Sequence, residues 1–243
     1  MFRNRTLNKI RRIVLRCGST PGELQADHNF LLEKQRAVYF FIPKVACSSL
    51  KLFFLNLLEL PMPNTERLHS ARFPRLSLVD IDEDRVSNLF RFCFVRNPFT
   101  RLVSAYKSMV CRDKDDEYYR GGVFRDLNKY GGFSHRMPFE GFVERVCDIP
   151  DKHSDPHFRT QSDFVMNSGG RVEMDFIGRF ENLESDFARL CDRLNITKTE
   201  LKYLNSTDDV EFKEHYTESI ADKVIARYRK DFDNFKYSTS FSD

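Results

Sequence analysis

Lys44 is the first residue whose surroundings suggest chemistry. It follows the apolar run AVYFFI and Pro43, and the small residues Ala46, Cys47, Ser48 and Ser49 come after Val45, ahead of a second apolar run. A strand that ends in such a loop and opens a helix can bind an anion. Small side chains let backbone N–H groups face a ligand, and the helix dipole favours negative charge there. Lys44 adds a full positive charge at the mouth. This is phosphate-loop logic without the glycine-rich spacing of a Walker motif. Taken alone, the stretch reads equally well as an ordinary βα turn with a solvated lysine.

A second stretch, FVRNPFTRLVSAY, also follows an apolar run. Arg96 stands at its strand end and Ser104 lies eight residues, two helical turns, further on. Arginine suits bidentate recognition of phosphate, and a serine hydroxyl can complete the cage. The plainer reading makes Arg96 a surface arginine and Ser104 a filler on a helix face. Two anion sites at the ends of neighbouring strands suit a ligand with two separated anionic groups, because ligands of open α/β sheets sit at such strand ends.

The elements that must hold these residues alternate along the chain. AVYFFI (37–42) and FRFCFV (90–95) read as buried strands, rich in β-branched and aromatic residues. Ser48 or Ser49 is the expected cap of the helix LKLFFLNLLEL, and Asn97-Pro98 is a natural helix start. A short helix is expected at IDEDRVSNLF, a long surface loop at 112–137 and a helix from Pro138. A strand follows at 172–180, then a helix through NLESDFARLCDRLN and one final helix through TESIADKVIARYRKDFDNF. Strands alternating with helices imply a mainly parallel sheet flanked by helices, a three-layer α/β fold.

Composition limits the remaining options. The 243 residues suit one domain, 36–243, preceded by a basic N-terminal segment, 1–35. A net charge of only +3 argues against a general nucleic-acid binder. No apolar run reaches the length of a membrane span. The six cysteines include no CxxC pair, so zinc has no ligand spacing and a reducing compartment is expected. Asp113, Asp115, Asp116 and Glu117 miss the EF-hand pattern and read as a solvated loop. Arg179 could reach an anion or pair with Glu181 or Glu184.

Taken together, IPKVACSSLK resembles the 5′-phosphosulfate loop of sulfotransferases, and FVRNPFTRLVSAY resembles their 3′-phosphate motif. The branch is that of the carbohydrate sulfotransferases of the chondroitin and HNK-1 type. The resemblance runs through HFRTQSDFV, MDFIGRFENLESDF and IARYRKDFDNFKY, from Val38 to Tyr237. It implies a P-loop-like α/β core and the donor 3′-phosphoadenosine 5′-phosphosulfate (PAPS), with no metal required. Lys44, Val45, Ala46, Cys47, Ser48 and Ser49 would hold the 5′-phosphosulfate, and Arg96 and Ser104 the 3′-phosphate. The acceptor would be a glycan or another hydroxyl compound.

Histidine suits the role of base, its unperturbed pKa being near 6.5. By resemblance the candidates are His69 in TERLHSARF, favoured by its position after the first helix, and His157 in DPHFRTQ. The segment SDFVMNSGGRVEM lacks the cysteine pair of that branch, and no N-terminal anchor is visible. A cytoplasmic location is therefore expected, with the Golgi lumen as the alternative had an anchor been lost. A P-loop kinase and a non-catalytic binder of sulfated or phosphorylated ligands are the rival functions.

Overall fold

The computed structural model describes residues 29–59, 75–76, 88–112, 119–120, 123–167, 169–198, 201 and 209–240. Strands β1 (Asn29–Leu32), β2 (Ala37–Phe40), β3 (Arg75–Leu76), β4 (Phe90–Val95) and β7 (Phe176–Arg179) form one sheet in the order β3-β1-β2-β4-β7. β2, β4 and β7 run parallel, and β1 and β3 join as antiparallel additions at one edge. All four residues of β2 and the last four of β4 are buried, which explains why both read as continuous apolar runs. Facing Tyr39 and Phe92 stack with ring centroids 5.2 Å apart, the kind of cross-strand pair that stabilises a sheet. In β7, Gly178 lies opposite Phe94, and a Cβ there would overlap the Phe94 ring.

Helix α1 (Cys47–Leu57) follows β2, α2 (Pro98–Met109) follows β4, and α4 (Leu183–Leu194) follows β7. Thus each parallel strand feeds a helix. Helices α1 and α4 share a core with the sheet. A second core joins α2, α3 (Phe139–Asp148), α5 (Glu218–Arg227) and α6 (Arg229–Phe235).

The structure departs from the sequence expectations at several points. Strand β1 pairs with β2 across a turn at Glu33–Arg36, so a boundary at residue 36 falls inside a hairpin. Segment 112–137 is not all loop. Strands β5 (Tyr119–Arg120) and β6 (Val123–Phe124) form a small hairpin, and a 3₁₀ turn spans Arg125–Tyr130. Val123 and Leu127 anchor this segment in the second core, but elements so short leave no periodicity to read. The strand expected at 172–180 contracts to Phe176–Arg179.

The single final helix is two, broken at Tyr228. There the Tyr228 hydroxyl donates to the Phe158 carbonyl (2.6 Å), and Asp231 turns toward residues 161 and 162. Of the helix expected at 81–90, residues 81–87 lie outside the described residues, as do the acidic residues 113–117, whereas Asn88 and Leu89 are not helical and Phe90 opens β4.

Candidate active site

The site is built on the loop after β2 and on helix α2. Lys44 (φ 70°) and Ala46 (φ 48°) both adopt left-handed backbone without being glycine, a strained conformation that gathers at functional sites. The two left-handed residues bring the chain into α1 early. The helix opens at Cys47 with Ala46 in the cap position and no side-chain cap. Ser48 and Ser49 therefore fall in the first turn instead of capping it. Val45 and Ser49 point into the interior, while Ala46, Cys47 and Ser48 stay half-buried. Only backbone from Val45 could serve a ligand in this loop.

Helix α2 begins as the sequence implies: the Asn97 side chain accepts from the Phe99 amide (2.9 Å), and Pro98 is the first helical residue. Its polar face presents Thr100, Ser104 and Ser108, spaced four residues apart on one side of the helix. At one end, Arg96 Nε donates to Thr100 Oγ1 (2.9 Å), with its guanidinium 4.0 Å from the Phe180 ring centroid. At the other end, Lys44 Nζ donates to Ser108 Oγ (2.7 Å). Ser104 lies midway, roughly 6 Å along the helix from each neighbour. One helix face thus aligns Arg96, Ser104 and Lys44.

The electrostatics are those of an anion site. Burial is the chief cause that lowers the Lys44 ammonium to about 8; the Cys47 thiol opposes this, and the Arg96, Arg112 and Arg101 guanidinium groups reinforce it. A half-buried cation with further cations nearby is costly unless an anion joins it. The residues present therefore fit a phosphorylated and sulfated ligand. No cluster of three metal-binding side chains occurs among the described residues.

His157 lies on a turn beside this face. Its Nδ1 is 2.7 Å from Asp155 Oδ1, which also accepts from the His157 amide (3.0 Å). Asp155 is buried. Burial alone would raise its carboxyl, but the His157 ring and its hydrogen bonds outweigh that and hold it below the usual carboxylate range. An ionised Asp155 accepts a hydrogen bond from Nδ1–H, the tautomer that leaves Nε2 as an acceptor. Contacts link this ring back to Lys44. Phe124 packs edge-on against His157 (5.3 Å) and against Tyr119 (5.8 Å), whose hydroxyl donates to the Ser108 carbonyl (2.6 Å). His69 lies outside the described residues.

Several residues escaped the sequence reading. Gln161 clamps the Arg96 backbone, with Oε1 accepting from its amide (2.9 Å) and Nε2 donating to its carbonyl (2.8 Å). Asp231, fully buried, accepts from the Gln161 and Ser162 amides and from the Ser162 hydroxyl, each at 2.8 Å. Arg179 neither pairs with Glu181 nor with Glu184 in these contacts. It donates to the Phe235 carbonyl (2.5 Å) and lies over Tyr237 (4.5 Å), whereas Glu181 accepts from the Asn97 amide and the Tyr237 hydroxyl. Ser108 alone carried a sequence signal, the four-residue spacing in TRLVSAYKS.

The model of the Sulfotransferase family matches residues 27–238. Carbohydrate sulfotransferase 11 of Mus musculus is 24% identical over 262 aligned residues, covering 97% of this chain and 72% of its own length. Carbohydrate sulfotransferase 14 of Danio rerio is 28% identical over 183, covering 69% and 48%. Carbohydrate sulfotransferase 8 of Mus musculus is 25% identical over 250, covering 88% and 57%. No solved structure matches the chain.

These relatives overturn the cytoplasmic expectation, since carbohydrate sulfotransferases are Golgi-resident membrane enzymes. The missing cysteine pair was therefore a poor guide to compartment. Among the described residues, no helix is long and apolar enough to cross a membrane. The kinase and the non-catalytic binder give way to the same finding. The family match over residues 27–238, nearly the whole chain, makes this enzyme a member of the sulfotransferase family.

Proposed function

We propose that the enzyme transfers a sulfuryl group from PAPS to a hydroxyl of a carbohydrate, with Lys44, Arg96, Ser104 and His157 as its working side chains. The observation that carries the proposal is the placement of two cations along one face of α2, Lys44 at Ser108 and Arg96 at Thr100, with Ser104 between them. The names of the relatives support a carbohydrate acceptor.

PAPS supplies sulfur bonded to a good leaving group, a phosphate oxygen; that S–O bond breaks as a new one forms to the acceptor oxygen. Lys44 and the backbone of residues 45–49 hold the 5′-phosphosulfate, and Lys44 offsets the charge left on the phosphate. Arg96 and Ser104 hold the 3′-phosphate. His157 Nε2 takes the acceptor's hydroxyl proton while Asp155 keeps the ring oriented. The Asp155 partnership supports His157 as the base, with His69 as the alternative.

Calorimetry tests the donor assignment. The desulfated product PAP should lose roughly 10- to 100-fold in affinity when Arg96 or Ser104 becomes alanine, as expected for ~1.5–3 kcal/mol of charge-assisted hydrogen bonding. Adenosine 5′-phosphate, which lacks the 3′-phosphate, should lose little. Equal losses for both nucleotides would mean that these residues support the fold and do not read the 3′-phosphate.

A further inference from the structure

Arg101 has no role in the transfer just described, yet it is one of the most deeply buried side chains, at 2% exposure. Its three guanidinium nitrogens each donate to a backbone carbonyl. Nε reaches Pro43 (3.0 Å), Nη1 reaches Arg159 (2.7 Å) and Nη2 reaches Pro156 (3.2 Å). Pro43 immediately precedes Lys44, and Pro156 and Arg159 bracket His157. One rigid planar group therefore ties the loop carrying the lysine to the turn carrying the histidine. The fork geometry of arginine makes this tie specific, because its donors are fixed in one plane. Lysine, with a single nitrogen on a flexible stem, could not hold both loops in that plane.

Burial disfavours the charge on Arg101, while Tyr228, Asp231, Cys47 and Asp151 favour it. The Arg101 hydrogen bonds, however, go to backbone carbonyls and not to a carboxylate. Stability alone gives no reason to bury a cation here, since well-packed apolar side chains often serve a core as well or better. A fixed separation between two loops does give a reason.

We infer that Arg101 is a positioning residue that sets the distance between Lys44 and His157. The inference rests on the roles proposed above for those two residues. Misplacing a reacting group by about 1 Å can cost 10²-fold in rate without weakening binding.

The test uses Arg101→Lys, Arg101→Gln and Arg101→Lys combined with His157→Ala. PAP affinity is read by calorimetry and turnover by transfer of labelled sulfate to the carbohydrate acceptor. Arg101→Lys should keep PAP affinity within about threefold while kcat falls ~10²-fold. In the His157→Ala background the same change should cost less than about threefold more, because no base remains to be positioned. An equal loss in both backgrounds, or a retained kcat, overturns the inference. Should neither Arg101→Lys nor Arg101→Gln bind PAP, Arg101 serves the fold and the inference also fails. Lys44→Ala and His157→Ala separate this outcome from a failure of the proposed roles. Full activity in those variants sinks the roles, whereas their inactivity beside an active Arg101→Lys sinks only the inference.

Discussion

A lysine that shares its surroundings with three arginines gives up its proton more readily than one in water. Burial together with Arg96, Arg112 and Arg101 brings Lys44 to about 8, and that value predicts a pH dependence. An anionic ligand favours the protonated amine, so PAP binding requires proton uptake wherever the free enzyme has lost that proton. PAP affinity should be flat near pH 7, where its phosphates are largely ionised. Above about pH 8 it should fall toward tenfold per pH unit. Lys44→Arg, which stays charged, should abolish the slope; a slope that persists in Lys44→Ala would assign it to another group. The base is tested at the same scale. His157→Ala should keep PAP affinity and lose ~10²–10⁴ in turnover, with His69→Ala far milder. The reverse pattern in the two variants would move the role to His69.

At the scale of elements, the buried hydrogen bonds around Asp231 couple helix α6 to the end of strand β4. Asp231 holds the Gln161 and Ser162 amides, and Gln161 holds the Arg96 backbone. Asp231→Ala strands those buried donors, which should cost about 3–5 kcal/mol. The melting temperature should then drop by roughly 6–20 °C. Glu144→Ala, which removes only an exposed pair with Lys223, should leave the melt unchanged. A thermal melt in which both variants behave alike would contradict the coupling. The same elements show what the sequence could disclose. The strand–loop–helix units at 37–57 and 90–109 were legible because buried strands, an Asn-Pro helix start and a lysine among small residues each leave a local mark. Arg101 and the Gln161–Asp231 pair were not legible. Their partners lie 55 to 70 residues away, and nothing local distinguishes them from surface charge. Strand β1 and the β5–β6 hairpin were missed because elements of two to four residues show no period.

Across the whole molecule, the site lies on the seam between two cores. The apolar face of α2 packs in the second core, through Phe99, Leu102, Val103 and Tyr106. Its polar face meets Lys44 and Arg96, which leave the strands of the first core. Two cores joined through one helix give a stable frame around a polar, cation-lined junction, where an anionic donor can meet an acceptor. Transfer of labelled sulfate from PAPS to a panel of carbohydrates, by the enzyme and by Lys44→Ala, tests this most directly. The enzyme should label at least one carbohydrate, and Lys44→Ala should do so ~10²–10³-fold more slowly while remaining folded. Transfer by Lys44→Ala at an undiminished rate, or no transfer from PAPS to any carbohydrate by the folded enzyme, would contradict the assignment.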